Sequence, residues 1–538
     1  MKRRSFLRTA GLAGAAAGIG GTWWKWHEIQ PGIHAPGREE GHFLRDQASH
    51  PDRLPPVTHT LQTDVAILGS GIAGLTAAWK LERSGHHDFL VIDGPEADGN
   101  AAGARYGEYA CPTGAHYLPL PSQECMHVRE ILADLGILLR DAQAERPYYD
   151  ERFLLHAPEE RLLVNGHWHE GLLPPLQAGE QAQLERFNMQ MERLRHYHDA
   201  QGRRPFVLPS TLASEEPQWQ VLDRMTMKQW LDQEGYASPA LHWLANYGCR
   251  DDYGARYDQV SAWAGLHYFC SRIGQASNAG SGAWLTWPDG LQTLATGLAR
   301  KLGQRRQAGT VLRLEQTAQG IEALCVIVRQ GVPSCMRLRA RKAICAMPLY
   351  VAARVMPSIR TLGFAPATDL AARAPWLVAN CLLKRFPREL PEAPLSWDNV
   401  VYREPGLGYV VSTHQDIRQA PPAQTVLTSY VALSHLRPQD ARRWMEKASP
   451  QHLLELALAD LQAAYGRGFN ADVERVDITL RAHAMAIPAP GQRSNAGVRR
   501  LREADGKILF AHSDLSGFSL FEEASWWGYQ AALKAMRR

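Results

Sequence analysis

The stretch Thr63-Asp-Val-Ala-Ile-Leu-Gly-Ser-Gly-Ile-Ala-Gly74 decides the fold. Asp64 to Leu68 is a short apolar run, read as a buried parallel strand. Gly69, Gly71 and Gly74 then give G-x-G-x-x-G, and Ile72 to Arg83 continues at helical spacing. The first glycine permits a tight turn, the second lets a diphosphate approach the backbone, and the third lets helix and strand pack closely. At the helix N-terminus the amides around Ile72 and Ala73 lack intrahelical acceptors, so they offer donors and partial positive charge to a phosphate. Phe89-Leu-Val-Ile92 is the next strand, and Asp93 ends it with a carboxylate suited to ribose hydroxyls. Glycines alone carry little. Strand, glycines, helix, strand and acid in this order specify an α/β, Rossmann-like dinucleotide unit with a parallel sheet.

The 538 residues are enough for two or more domains, and a hydrophobic content of 45% with 21% charge is ordinary for a globular chain. The formal charge is +4, but Lys2, Arg3, Arg4, Arg8 and Lys25 sit in a leading segment without acids, leaving the remainder near neutral. That balance excludes a nucleic-acid partner as an expectation. Lys2-Arg-Arg-Ser-Phe-Leu-Arg8 followed by the Ala/Gly-rich Thr9 to Gly21 reads as a twin-arginine export signal. The expected location is therefore the periplasm, with the export machinery as a partner. Trp23-Trp24-Lys25-Trp26 suits a membrane interface, so an uncleaved N-terminal tether is a further expectation. Eight cysteines show no C-x-x-C pair, and His167/His169 and His196/His198 are too sparse for a metal site, so none is expected.

The chain divides into a signal (1–25), a Pro-rich linker (26–60), a first dinucleotide segment (61–120), a largely helical segment (121–284), a second dinucleotide segment (285–348), a further segment (349–490) and a closing one (491–538). Thr310 to Leu314, Ile321 to Gln330 and Met336 to Ala340 alternate like a β-meander, and Ala343 to Pro348 is a strand ended by proline. Glu180 to Ala200 is an amphipathic helix, Thr226 caps another, and Gln451 to Tyr465 is a third. Near the end, Lys507-Ile-Leu-Phe-Ala-His-Ser-Asp514 is a strand closed by an acid. The helix Glu522-Glu-Ala-Ser-Trp-Trp-Gly-Tyr-Gln-Ala-Ala532 follows, with small residues that let it lie close to a flat ligand.

These blocks resemble the flavin-containing amine oxidases, a family that includes polyamine oxidases and is related to protoporphyrinogen oxidases and phytoene desaturases. The resemblance rests on the glycine unit through Gly114-Ala-His-Tyr117, on Trp287-Pro-Asp-Gly-Leu-Gln-Thr-Leu294, on Ala343 to Pro348 and on the C-terminal block. It implies non-covalent FAD, with a mixed α+β substrate domain interleaved between the FAD segments. Gly69, Gly71 and Gly74 would hold the diphosphate, Asp93 the adenosine ribose, Val311 the adenine and Asp514 the ribityl chain. Gly114 and Ala115 would flank the ring system, and Glu522, Glu523, Ala524 and Gly528 would lie beside it. His116, Asn380, Trp526 and Trp527 are the residues expected to act on the substrate or the ring.

The departures matter as much. The family's G-G-R after the ribose acid is Asp98-Gly99-Asn100, without the arginine. Asn380 stands where many members place a lysine, and Leu520 stands where an aromatic wall is usual. The segment Ala482 to Gly491 has no cysteine for covalent flavin attachment. Three readings stay open: oxidation of a primary or secondary amine, with Asp251 and Asp252 as candidate partners of its cation; desaturation of a non-amine small molecule; and a non-catalytic flavoprotein serving in binding or assembly. The electron acceptor is either dioxygen or a quinone.

Overall fold

The computed structural model describes residues 29–49, 55–280, 282–329, 332–389, 393–403, 405–420 and 422–537. The signal and the Trp23–Trp26 stretch lie outside them. Two sheets dominate. The first runs in the order Arg306–Gln307, Phe89–Ile92, Val57–Leu68, Val332–Cys345, Ile321–Arg329, Thr310–Gln316, and Ile508–Phe510 also pairs with Val332–Cys345. Phe89–Ile92 and Ile508–Phe510 flank this central pair in parallel, because helices cross back between them. Helix Ile72–Arg83 follows the glycine turn, and helix Phe521–Met536 packs along it.

The meander is as expected, with one difference. The two short strands read at 336–340 and 343–348 are a single strand, Val332–Cys345. It pairs antiparallel with Ile321–Arg329 at its beginning and parallel with Val57–Leu68 along its length. Its alternating start serves the half-covered meander, and its uniformly apolar end is buried on both faces.

The second sheet runs Gly32–His34, Val473–Ala486, Arg373–Leu383, Thr425–Ala432, Gly406–Val411, Asp398–Val401, Glu160–Val164, His167–Glu170. Arg373–Leu383 is buried at every position, as a central strand covered on both sides must be. One face of the sheet packs on the helices Glu180–His196, Met227–Gln233, Pro239–Tyr253 and Ala262–Cys270. Thr226 closes a full capping box with Gln229.

The stretch 26–60 is not simply a linker. Gly32–His34 adds a parallel edge strand to the second sheet, Arg38–Ser49 is helical, and Val57 already starts the first sheet. Helix Met126–Asp134 buries Val128, Ile131 and Leu132 in the same core as Leu75 and Ala532, so by packing it goes with the dinucleotide unit. Gln451 to Tyr465 is two helices, Pro450–Ala457 and Ala459–Tyr465. All eight cysteines are buried and free.

Candidate active site

The glycine turn has the geometry its sequence demands. Gly69 has φ +115°, which strains any residue with a side chain. A Cβ on Gly74 would lie 1.8 Å from the Gly69 carbonyl oxygen, so only glycine allows this helix to start so near the strand. A Cβ on Gly71 would meet nothing within 4 Å, which leaves open space where a diphosphate would approach. Gly528 plays the matching part between helices, since a Cβ there would come within 2.1 Å of the Ala73 carbonyl oxygen. A dinucleotide fits this cradle.

Around it, Arg306 Nε donates to Asp93 at 2.6 Å, and its NH2 group reaches Asp98 at 2.9 Å and Ser70 Oγ at 3.4 Å. Val311 is buried and pairs with Cys325, with a bulge just beyond it. Gly99 lies against the turn, its notional Cβ 3.6 Å from Gly71 Cα. Asn100, in the place of the missing arginine, accepts the Ala115 amide at 2.9 Å on its own carbonyl. The loop over the glycine turn is thereby joined to Gly114–His116.

Beyond Gly114 lies an aromatic chamber. The ring of His116 stacks on Tyr430 at 4.5 Å and approaches Trp397 at 5.4 Å and Tyr117 at 5.1 Å, while Tyr117 meets Trp284 edge-on at 4.9 Å. Tyr117 and Trp284 are brought together by the short pair Tyr117–Pro119 and Trp284–Thr286. Burial drives the His116 pKa down to about 3, so its imidazole is neutral at physiological pH. The Tyr117 hydroxyl lies 3.5 Å from Asp251 Oδ2. Asp252 is taken by Arg272, whose NH2 group lies 2.5 and 2.6 Å from its two oxygens. Asp251 has no such direct partner; burial and the charge of Asp252 raise its pKa against the opposing charges of Arg272 and Arg250. Asp398 is raised well above the usual range by burial and by Asp251 and Glu160. Glu160, at the start of the strand paired with Asp398–Val401, is pushed up to about 7 by the protein around its carboxyl and by Glu159. Glu522, at the head of the last helix, is pushed up to about 7 by burial. Among the described residues no ion pair reaches Asp251, Asp398 or Glu160.

Residues 72–532 match the sequence model of the flavin containing amine oxidoreductases. The chain belongs to that family. No curated protein matches the chain. Among solved structures, putrescine oxidase with bound putrescine is 17% identical, with a TM-score of 0.61 over 89% of this chain and all of the other. Cyclohexylamine oxidase from Brevibacterium oxydans IH-35A is 19% identical, with a TM-score of 0.61 over 88% of this chain and 98% of the other. A fatty acid isomerase from P. acnes is 15% identical, with a TM-score of 0.59 over 87% of this chain and 97% of the other. At these identities the likeness is one of fold. As a member of the family the chain is an FAD-dependent oxidoreductase acting on a small molecule.

Several residues singled out in the sequence stand elsewhere than this amine oxidoreductase reading placed them. Trp527 is core: its ring packs with the first sheet and its Nε1 donates to Ser516 Oγ at 2.7 Å. Trp526 lies edge-on to His127 at 5.3 Å, away from the chamber rings. A helix places successive residues about 100° apart, so Trp527 is turned about 140° from Glu522, whereas Trp526, one turn on, shares its face but meets His127. Asn380 is buried with both ends of its amide engaged: Nδ2 donates to the Pro112 carbonyl at 3.0 Å, and Oδ1 accepts Thr428 Oγ1 at 2.7 Å. It is a brace, not a catalytic group. Lys384, a lysine close to Asn380 along the chain, is exposed and bonds to the Ala471 carbonyl, so it does not take the missing lysine's place. Asp514 is saturated by Arg373 and by the Leu349 amide at 2.9 Å, and despite its burial Arg373 and His512 hold its carboxyl well below the usual range. A ribityl hydroxyl would therefore meet an acid already paired. Glu523 accepts the Ser210 amide at 2.6 Å and the Ser516 hydroxyl, which ties the last helix to residues 208–212. Tyr430, Trp397, Asp398, Glu160 and Arg481 were not legible, because each reaches the site from a distant strand with no local motif.

Proposed function

We propose that the protein oxidises a cationic primary or secondary amine, with polyamines the first class to test, using non-covalently bound FAD. One observation carries the reading: the aromatic rings beside Gly114–His116 border Asp251, whose carboxyl no ion pair reaches among the described residues and whose pKa burial and Asp252 raise against the weaker pull of Arg272 and Arg250. A buried acid whose pKa is raised is poised for a cation, because an ammonium group stabilises the carboxylate that burial disfavours. Aromatic faces favour the same cation, and a neutral His116 does not repel it. When bound, FAD accepts hydride from the substrate C–H bond.

In this reading Gly69, Gly71 and Gly74, with the amides of Ile72 and Ala73, hold the diphosphate. Asp93, oriented by Arg306, meets the adenosine ribose, and Val311 borders the adenine. Gly114, Ala115, Glu522 and Ala524 flank the ring system, Glu523 holds the last helix against residues 208–212, and Gly528 lets the two cofactor helices approach. Asp251, Asp398 and Glu160 orient the substrate nitrogens, while Tyr117, Trp284, Trp397 and Tyr430 exclude water.

Anaerobic mixing of purified protein with a panel of amines tests this directly. The flavin absorbance near the visible maximum should bleach with a di- or polyamine, and acid precipitation should release the flavin into solution. A flavin that stays oxidised with every amine removes the reading. Asn380 favours one second possibility, since it stands in the place of the family's lysine and its amide braces Pro112 and Thr428: desaturation of a C–C or ring C–N bond in a non-amine. Bleaching by such a substrate alone would select it.

Export by the twin-arginine pathway to the periplasm, with the N-terminus kept as a membrane tether and dioxygen or quinone as acceptor, completes the proposal. Fractionation with N-terminal sequencing tests it. An intact N-terminus found only in soluble periplasmic material would count against the tether.

A further inference from the structure

Three consecutive carbonyls, those of Pro112, Thr113 and Gly114, lead into the segment that borders the chamber. Each is taken by a side chain from a different strand of the second sheet. Asn380 Nδ2 donates to Pro112 at 3.0 Å, Arg481 Nε to Thr113 at 2.8 Å, and the Tyr430 hydroxyl to Gly114 at 3.0 Å. The three strands are neighbours, Val473–Ala486 beside Arg373–Leu383 beside Thr425–Ala432.

Arg481 does more. Its NH1 group donates to Glu96 at 2.8 Å and to Asn100 Oδ1 at 3.3 Å, and its NH2 group to Glu96 at 3.0 Å and to Thr113 Oγ1 at 3.3 Å. With Nε, all five guanidinium donors have an acceptor, and the side chain is buried. Asn100 in turn donates Nδ2 to the Ala484 carbonyl at 2.8 Å on the same strand as Arg481. One residue of the second sheet thus fastens the loop over the glycine turn and the loop beside the chamber together.

We infer that Asn380, Tyr430 and Arg481 form a clamp through which the second sheet sets the position of Gly114–His116 against the flavin. They are positioning residues, and the inference rests on the flavin reading above. Buried carbonyls that lost these donors would stay unsatisfied, so the loop would shift to find others. The position of the flavin-facing backbone is therefore dictated by a strand array that does not itself bind the dinucleotide turn.

The test uses full-length holoprotein carrying Tyr430→Phe, which deletes one hydroxyl and keeps the ring, and Arg481→Lys, which keeps the charge and loses the fork. FAD affinity of the apoprotein, visible circular dichroism of the bound flavin and its reduction potential are measured. Tyr430→Phe should weaken FAD binding by about fivefold, and adding Arg481→Lys by about tenfold more, at about one lost bond per step for the first and a charged one for the second. Both should change the flavin dichroism, and Arg481→Lys should retain more affinity than Arg481→Gln. A Tyr430→Phe protein with wild-type FAD affinity, dichroism and potential would overturn the clamp even if the Arg481 variants fail to fold. Wild-type protein that takes up no flavin would instead overturn the function proposed above.

Discussion

Gly74 shows how much one residue can require. A methyl group there would sit 1.8 Å from a backbone oxygen that cannot move without opening the turn. Gly74→Ala should therefore cost about 2 kcal/mol or more of stability as overpacking and should lose bound flavin, read as a fall in the ratio of visible to ultraviolet absorbance. At the other end of the site, Asp251 has a raised pKa and no ion-pair partner. Asp251→Asn keeps the shape but removes the charge that would answer an ammonium group. It should raise KM for a diamine about thirtyfold, at roughly 2 kcal/mol for a desolvated charge pair. An unchanged KM would take Asp251 out of the substrate site. Gly74 was legible because backbone conformation and close approach select one residue type. Asn380 was misread because its meaning depends on Pro112 and Thr428, which no spacing in the chain connects to it.

At the scale of elements, short-range pattern and long-range pairing separate clearly. Helix Ile72–Arg83, the meander and helix Phe521–Met536 follow from apolar period and flanking turn residues, and they were found where expected. Gly32–His34 was not, because three residues carry no period. Its place is fixed by register against Val473–Ala486 and by His34 on Asp477 at 3.1 Å. A Cβ on Gly32 would come within 2.1 Å of Asp477 Oδ1, and that side chain is already held by Tyr106 at 2.7 Å and by Arg475. Gly32→Val should detach the edge strand at about 1–2 kcal/mol. Limited proteolysis would then cut within residues 29–50 well before the rest of the chain. Resistance equal to the parent would show that Asp477 can move aside freely.

For the whole molecule, the raised acids predict a pH signature. Glu160 and Glu522 hold protons in the folded state up to about 7, whereas in the unfolded chain they release them near the ordinary glutamate range. Between those values the folded state binds more protons, so the stability these groups confer is full at low pH and is lost as pH rises through about 7. Ligand-free protein should show a melting temperature that declines from pH 5 to pH 8 on their account. A diamine should restore it more strongly at pH 8, where the carboxylates need a counter-charge. A ligand effect equal at both ends would argue that the acids do not face the substrate. The same two-sheet arrangement explains why the segments alternate along the chain. The strands of each sheet come from separate stretches, and each crossover must leave one sheet and return.

The sequence by itself determined the dinucleotide fold, the family and the glycine geometry of the cofactor turn. Those depend on conformational freedom, helix-end polarity and local apolar period, all of which are written within about a dozen neighbouring residues. Only the tertiary structure decided which side chains meet around the chamber. Asp251, Asp398, Glu160, Tyr430 and Arg481 come from strands and helices far apart in the chain, and their charge states and partners are set by burial and register. Neither property belongs to a residue until distant strands have paired and the helices have packed on them.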